Sequence, residues 1–498
     1  MLCWLGDLPN SLGYADLTRH IAGLFEGSEI IASPEPFTAE NVTEALSQTC
    51  GHASSVLAAV EGPKPAAPNK SHYQRYGVPL MHYSDDPCTL LCQLVNYVYA
   101  TLHQLSFLRT MCGRDSDQGG WRDCQFGRAV EASKSWQCSQ RPVDPMQVQG
   151  HGCNASPLQG FLTDQSDLST YWYQRGDICR RSHVKMGFLP DNFREESKHG
   201  FYIHSVLVGV CYQNADPLEK VCKYLNCLTR RTPRTTGELV SFFHNFGNEL
   251  HNGSSDLSKL GSVLSSQHGH CPDWDRLKDS DLQVIKDARG SAPPNSNHNH
   301  DKDHPNTLSS LLGCDITNAQ CPQHMKPINY RAYALYSSSF AHHYLSWVVH
   351  LPDRLWDSLL KLRCDLENLQ CHDSKCLSLQ QCPKALPLLY SHGFTPPEGT
   401  LQPSLKCSKV ITNLEEVVSG KPIASLMTAM DDFLHGIPCP SLSLSSHALA
   451  HRHALHRPLT TVPHGRPAHP LPPHHQGLTP HRRQGAARRQ PQDALTLP

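Results

Sequence analysis

Cysteine is the residue type that best equips this sequence for chemistry, since 21 of its 498 residues are cysteines. Cysteines pair into disulfides in oxidising compartments, whereas glutathione keeps cytosolic thiols reduced. Many of these cysteines stand beside polar or turn residues, as in "GGWRDCQFG" and "QGHGCNAS", where a small buried hydrophobe has no reason to be. We therefore predict disulfides. The alternative is a set of buried free thiols, because Cys is among the most buried residue types. The candidates for pairing are Cys88, Cys92, Cys112, Cys124, Cys138, Cys153, Cys179, Cys211, Cys222, Cys227, Cys271, Cys314, Cys321, Cys364, Cys371, Cys376, Cys382 and Cys407.

The spacing of the cysteines suits disulfide-stapled loops better than zinc. Structural zinc sites normally use paired ligands about two to four residues apart, and the cysteines between residues 112 and 153 are more widely spaced than that. The run from Cys364 to Cys382 loosely evokes a zinc finger of the three-cysteine, one-histidine type, but no histidine lies three residues beyond its last cysteine. The connectivity of the disulfides does not follow from the spacing.

Histidines and carboxylates form a further group with metal-ligand chemistry, in "NHNHDKDHPN" at 297–306. Nothing in this Pro- and Asn-rich stretch fixes their geometry, which a divalent site requires. We predict no metal site and no cofactor. The sequence also lacks a dinucleotide-binding glycine fingerprint, a phosphate loop, a zinc-protease helix and a nucleophile elbow. Its paired carboxylates, such as Asp85 and Asp86, are only sequence neighbours. We therefore predict no catalytic residue and no enzyme.

A basic cluster precedes the best-defined predicted helix. Thr235 and Glu238 are spaced as a capping box, which predicts a helix that starts near Thr236 and runs over 236–251. Apolar residues then recur at helical spacing and predict a buried stripe rather than a ligand groove. The stripe consists of Leu239, Phe242, Phe243, Phe246 and Leu250. The cluster of Arg230, Arg231 and Arg234 has the charge to hold an anion, but we interpret it as a solvated turn.

Three more helices are predicted to form the core, over 88–112, 332–350 and 353–370. The first lacks charge from Thr89 to Leu108 and is long enough to cross a membrane. Its Gln, Asn and His residues would each need a partner in lipid, so we predict a buried core helix. In the helix predicted over 353–370, leucines recur at spacings of four and three residues, which places them along one face as a ridge and indicates a helical hairpin or bundle. The ridge consists of Leu355, Leu359, Leu362, Leu366 and Leu369. We take His342, His343 and His350 as packed or capping residues.

These patterns predict a mainly α fold: a disulfide-stapled helical ectodomain with long irregular Cys-rich loops and a disordered C-terminal tail. The composition, 39% hydrophobic and 18% charged, is that of a globular chain. The predicted divisions are an N-terminal segment at 1–65, a Cys-rich helical domain at 66–290, a linker at 291–306, a helical domain at 307–437 and a His/Arg/Pro tail at 438–498.

Charge separates the tail from the body. After Pro438 the sequence has seven Arg, no Lys and one acid, so the tail carries +6 and, because the total is -1, the body carries -7. A body of that sign is a poor nucleic-acid binder. The N-terminus shows no signal peptide, since it has no basic region and Asp7 and Pro9 interrupt any apolar run. Glycosylation sequons at Asn41, Asn69, Asn154 and Asn252 are nevertheless compatible with a secretory chain.

Long segments such as "YLNCLTRRTPRTTGELVSFFHNFGNELH", "GGWRDCQFG", "DICRRSHVKMGF" and "PIASLMTAMDDFLHGI" carry a resemblance that covers roughly residues 50 to 437. The chain resembles the C-terminal part of the large, Cys-rich, membrane-anchored multigene proteins of Babesia parasites. Members are variously labelled ribosome-binding or extracellular-matrix-binding proteins, and these labels imply little about mechanism. The resemblance implies a helical ectodomain followed by one transmembrane helix and a short basic tail, and it supplies no catalytic residue.

Our first functional hypothesis is therefore a non-enzymatic interaction ectodomain of a parasite surface or secretory-pathway protein, which engages other proteins through exposed loops and binds no nucleic acid. The partner and the molecular function are not readable from the sequence. The rival hypothesis is an intracellular zinc- or thiol-containing binding protein.

The resemblance holds as far as Ile437, and we interpret the residues beyond it as the family's membrane anchor in a shifted reading frame. Relatives resemble "LIATLYIA" within that anchor, which can be coded CTC ATC GCC ACG CTC TAC ATC GCC. Reading one nucleotide out of step, with a G in front, gives the residues from Ala450 to Arg457. The shift also accounts for Cys439 as the odd cysteine. A genuine His/Arg/Pro tail is the alternative, and the nucleotide sequence around codon 437 decides between them. Either way, no run of about 20 apolar residues comes after Ile437, so the expected anchor is lost in this chain.

Overall fold

The protein is described by a computed structural model. The structure describes residues 1–25, 29–62, 83–138, 155–164, 190–211, 216–251, 259–266, 277–290, 304–313, 323–369, 384–396 and 407–435, together with Met186, Phe188, Leu379 and Cys382. These residues belong to one compact unit, Met1–Pro438. The predicted 291–303 part of the linker and the predicted tail at 438–498 lie outside them.

The chain is mainly helical, as predicted. The helices are α1 (Leu2–Asp7), α2 (Tyr14–Gly23), α3 (Ala39–Glu61), α4 (Pro87–Cys112), α5 (Pro157–Leu162), α6 (Gly200–Cys211), α7 (Pro217–Thr229), α8 (Thr236–His251), α9 (Lys259–Ser265), α10 (Asp279–Arg289), α11 (Leu308–Leu312), α12 (Ala341–His350), α13 (Pro352–Glu367), α14 (Ala385–Ser391), α15 (Cys407–Ser419) and α16 (Lys421–His435). Short 3₁₀ turns occur at Leu8–Asn10, Ser116–Gln118, Pro190–Asn192, Tyr330–Tyr333 and Ser338–Phe340.

Helix α4 is a core helix, which confirms that prediction. The Asp86 side chain caps it by accepting a hydrogen bond from the Thr89 backbone N–H at 2.7 Å, the usual way to satisfy a free first-turn donor. Most of its apolar residues are buried against α6, α7 and the N-terminal helices. None of the helices within the described ranges combines the length and hydropathy that a membrane crossing requires.

Helix α8 begins and ends where the sequence predicts. The Thr235 hydroxyl accepts from the Glu238 backbone N–H at 3.2 Å, which is half of a capping box. The Glu238 carboxylate does not return the bond to Thr235 and instead accepts from the backbone N–H of Arg234 at 2.6 Å. All five residues of the predicted apolar stripe are buried, so α8 lies at the centre of the core.

The C-terminal helical pair differs in detail from the prediction. Four residues of the leucine ridge are fully buried along α13, but the helix ends at Glu367 and Leu369 is only half-buried. Residues 332–340 are not α-helical, because Tyr336–Ser337 pairs as a strand with Ala32–Ser33. The histidines that we expected to be packed or capping, His342, His343 and His350, are exposed.

Each strand has two residues, and the strands pair to join loops that are distant in sequence. They are β1 (Ala32–Ser33), β2 (Gln125–Phe126), β3 (Glu131–Ala132), β4 (Ala155–Ser156), β5 (Lys198–His199), β6 (Lys326–Pro327), β7 (Tyr336–Ser337) and β8 (Phe394–Thr395). Strand β3 pairs with β4 in parallel, whereas β1 with β7, β2 with β5 and β6 with β8 are antiparallel. Such short pairs contribute register rather than a sheet.

The predicted segments do not have separate cores. Helix α1 packs on α3, α3 packs on α7, and the β1–β7 pair joins the N-terminal segment to the chain beyond 307. One continuous set of buried apolar residues runs from Met1 to Met430. Within the described residues, the packing is therefore continuous across the positions near 65 and 290.

Candidate functional site

A cavity of about 1010 Å³ lies where α4, the turn before α8, α13 and α14 meet. This volume is at the upper end of the range of about 300–1,000 Å³ for small-ligand sites. Its described lining is Asn96, Tyr99, Ala100, His103, Lys134, Ser135, Trp136, Arg231, Arg234, Thr235, Thr236, Glu238, Ser358, Lys361, Asp365, Asn368, Leu369, Lys384, Pro387, Leu388, Ser391 and His392.

A buried ion pair forms part of the cavity wall. The Arg231 side chain is 10% exposed and its Nη1 donates to Glu238 Oε2 at 3.1 Å, while the Glu238 side chain is 4% exposed. Arg231 Nη1 also lies 3.1 Å from the Tyr333 hydroxyl, and its guanidinium carbon stands 3.5 Å from the centre of the Tyr99 ring, a cation–π geometry. Burial acts to raise the Glu238 pKa, but the Arg231 charge and the hydrogen bonds outweigh it and lower the pKa. Glu238 is therefore ionised and neutralises Arg231.

A hydroxyl, an imidazole and a carboxylate form a second array on the same wall. The Thr236 Oγ1 lies 2.8 Å from His392 Nδ1, and His392 Nε2 lies 3.1 Å from Asp365 Oδ2. An ionised carboxylate only accepts hydrogen bonds, so Nε2 carries the proton and a neutral His392 accepts from the Thr236 hydroxyl. Burial lowers the pKa of His392, and the bond to Asp365 only partly offsets this.

This array resembles a nucleophile–base–carboxylate triad in its partners but not in its surroundings. Acyl transfer also needs free N–H donors for the developing oxyanion. The Gly237 N–H already donates to the His392 carbonyl at 2.8 Å, and the Glu238 N–H donates to Thr235. The Thr236 residue is only 3% exposed. The first turn of α8 is thus occupied by the fold, and the array fixes side chains rather than presenting a nucleophile.

Glycine permits the close approach that builds this wall. A Cβ on Gly237 would lie 2.3 Å from the Gly393 carbonyl oxygen, and Gly393 itself has a φ of +84°. A side chain at either position would push the 392–394 turn away from α8. The hydrogen bond between Thr236 and His392 depends on that contact.

The described lining is richer in positive than in negative charge. Its basic side chains are Lys134, Arg231, Arg234, Lys361 and Lys384, and its carboxylates are Glu238 and Asp365. Glu238 neutralises Arg231, and the other four basic side chains are exposed. In a body of net charge -7, this concentration of cations departs from the average surface. A site of this kind attracts anions.

The cysteines confirm the disulfide prediction in part. Cys124 and Cys138 are disulfide-bonded with their Cα atoms 5.6 Å apart, inside the range that a disulfide allows. The Trp121 and Trp136 rings pack together with their centres 5.7 Å apart, and the Trp121 indole N–H donates to the Trp136 carbonyl at 3.0 Å. The disulfide thereby holds the 134–136 segment that lines the cavity. Cys382 is also disulfide-bonded.

Other candidates correct the prediction. Cys112, Cys222 and Cys227 are buried free thiols, and burial raises the pKa of each, that of Cys227 to about 11. They pack as small hydrophobes, as the alternative of buried free thiols expects. Cys88 and Cys364 are exposed free thiols.

The remaining candidates are less informative. Cys92 is exposed, and Cys211 and Cys407 lie in α6 and α15. Cys153, Cys179, Cys271, Cys314, Cys321, Cys371 and Cys376 lie outside the described residues. The sequon residue Asn41 lies in the first turn of α3 and not in a loop, and its side chain accepts a hydrogen bond from the Thr38 backbone N–H. The other three sequon asparagines lie outside the described residues. Where the structure describes the chain, no group of three or more His, Cys, Asp or Glu side chains is placed to hold a metal ion.

The interpretation of the arginine cluster as a solvated turn is wrong for Arg231, whose side chain is largely enclosed. Arg234 lines the cavity, and Arg230 is exposed beside His343. The sequence signal was therefore present in "TRRTPRTT", next to the capping box, but the partners of Arg231 come from α4, α8 and the 330–333 turn. Comparison of the chain with protein-family models, with curated proteins and with solved structures found no match.

Proposed function

We propose that this chain is a non-enzymatic binding module that takes up an anionic ligand in the cavity beside α8. The observation that carries the proposal is the cavity itself, whose described wall holds five basic side chains and two carboxylates. Apolar surface from Trp136, Leu369 and Leu388 adds contact area for the uncharged part of the ligand. The ligand class is a small molecule with several sulfate, phosphate or carboxylate groups.

The side chains rather than the helix terminus would recognise the charge. Because the Gly237 and Glu238 amides are already hydrogen-bonded, the usual anion site at a helix N-terminus is occupied. Lys361 on α13 and Lys384, just before α14, line the cavity together with Asp365 and His392. Ligand affinity should therefore fall with added salt, as for any exposed electrostatic site.

Calorimetric titration with sucrose octasulfate tests the proposal, with sucrose as the uncharged control. We expect the octasulfate to bind and sucrose not to bind. Lys361→Gln should weaken binding about fivefold, the effect of losing about 1 kcal/mol at one solvated contact. Arg354→Gln is the matched control, because it removes one exposed charge from the same helix at a residue that does not line the cavity. Absence of binding, or equal losses in both variants, would refute the proposal.

We place this module, as a proposal from the sequence resemblance, in the ectodomain of a membrane-anchored Babesia surface or secretory-pathway protein, where protein partners would also be engaged. The Cys124–Cys138 disulfide supports an oxidising compartment. The rival class is an intracellular zinc- or thiol-containing binding protein.

Mass spectrometry after alkylation of the chain isolated from parasites separates the two classes. The three buried thiols are uninformative because burial alone keeps them reduced. The Cys124–Cys138 pair decides, because it is a disulfide in the structure. Cys124 joined to Cys138 in the isolated chain supports the ectodomain, whereas fully reduced cysteines throughout would support the intracellular class.

A further inference from the structure

The array of Thr236, His392 and Asp365 can keep both of its hydrogen bonds whether His392 is neutral or protonated. Asp365 accepts from His392 Nε2 whether the imidazole is neutral or protonated. The Thr236 hydroxyl donates to a neutral Nδ1 and, after rotation, accepts from a protonated one. Proton uptake therefore breaks neither hydrogen bond. What changes is the charge on the cavity wall.

The groups that face His392 determine how favourable that charge is. Asp365 and Lys361 approach from α13, and Lys361 opposes protonation while Asp365 favours it. Lys384 lies at the start of α14, Arg234 precedes α8, and both share the cavity with His392. Glu238 also lines the cavity, but the ion pair with Arg231 neutralises the Glu238 charge. Burial and the charge of Lys361 oppose the imidazolium, and an anion bound in the cavity would offset both.

We propose that the cavity takes up its anionic ligand together with a proton on His392, so that the ligand binds more tightly in a mildly acidic compartment than at neutral pH. The inference rests on the proposed function and deepens it by naming its regulation. Coupling between two ligands is reciprocal, so the anion raises the proton affinity of His392 by the same factor by which the proton raises the affinity for the anion.

A second histidine in the lining serves as the control. His103 on α4 packs against Tyr390 with ring centres 4.8 Å apart, and its Nδ1 lies 3.2 Å from the Asn329 side-chain nitrogen. It lines the same cavity but takes no part in the array with Asp365. Replacing each histidine by glutamine removes its titration and retains hydrogen-bonding groups.

The experiment measures the dissociation constant of sucrose octasulfate at about pH 7.5 and about pH 5.5, on either side of the ordinary histidine pKa, at fixed ionic strength. Sulfate groups stay fully ionised over this range, so only the protein titrates. We expect binding to tighten about fivefold or more at the lower pH. The His392→Gln variant should bind equally at both pH values, and His103→Gln should keep the dependence.

The outcomes separate this inference from the proposed function. Equal binding of the unmodified chain at both pH values would overturn the proton coupling while leaving anion binding intact. A pH dependence that survives in His392→Gln and disappears in His103→Gln would also overturn it. No binding at either pH would overturn the proposed function and this inference together. Circular dichroism of both variants confirms that the fold persists at both pH values.

Discussion

Replacing Glu238 by glutamine should destabilise the body strongly, because it leaves the Arg231 charge buried without its partner. The two side chains are 4% and 10% exposed, respectively, and joined at 3.1 Å. Removing one member of a buried pair costs about 3–5 kcal/mol. The cation–π contact with Tyr99 remains and is worth about 0.5–2 kcal/mol, so we expect a loss near the lower end of the range, about 3 kcal/mol.

Urea unfolding followed by far-UV circular dichroism measures this loss as a lower midpoint at unchanged slope. The matched control is Glu367→Gln, which breaks the i,i+4 pair with Arg363 on the surface of α13 and should cost about 0.3–0.5 kcal/mol. Combining Arg231→Met with Glu238→Leu removes both charges and should lose less than Glu238→Gln alone. A loss below about 1 kcal/mol for Glu238→Gln would refute the reasoning, since it would mean that cavity water solvates Arg231.

Three further predictions concern the core, the buried thiols and pH. Phe243→Ala should lower the free energy of unfolding by about 3–5 kcal/mol, because Phe243 is 1% exposed. The control, Phe201→Ala, changes a side chain that is 53% exposed and should change this free energy by less than about 1 kcal/mol in the same urea assay. Equal losses in both variants would show that the apolar stripe of α8 is not part of the core. Cys222 and Cys227 should resist iodoacetamide in the native chain and react after unfolding, as read by mass spectrometry; rapid native labelling would contradict their burial. Burial lowers the pKa of His392 below its ordinary 6.5, so the unfolded chain binds the proton more readily than the folded chain. The contribution of His392 to the free energy of unfolding is therefore complete above about pH 6.5 and falls as the pH drops toward the folded-state pKa. The urea midpoint of His392→Gln should depend less steeply on pH than that of the unmodified chain, and an equal pH dependence would contradict this prediction.

Local patterns predicted what local interactions decide. Helix α8 matches its expected bounds because Thr235 caps it and its phenylalanines share one face. The same reasoning is wrong for residues 332–340, since their backbone pairs with Ala32–Ser33, which is distant in sequence, and tertiary pairing overrides propensity. Sequence spacing also could not show that Cys222 and Cys227 would be enclosed by packing from distant segments.

The cavity could not be predicted from the sequence, because segments that are distant along the chain form its wall. Its wall combines side chains from α4, the disulfide-held 134–136 segment, the turn before α8, and α13 with α14. The arginine cluster was visible as charge, but the fate of Arg231 depends on Tyr99 and Tyr333, which are distant in sequence. His392 gave no sequence signal, because its partners Thr236 and Asp365 belong to different helices.

Lysine footprinting tests most directly whether the cavity is the ligand site. The chain is acetylated briefly with and without saturating sucrose octasulfate, and the reactivity of each lysine is read by mass spectrometry. Lys361 and Lys384 line the cavity, whereas Lys421, at the start of α16, is also solvent-exposed and does not line it. We predict that the octasulfate protects Lys361 and Lys384 and leaves Lys421 unchanged. Equal protection of all three, or protection of none, would contradict a ligand site in this cavity.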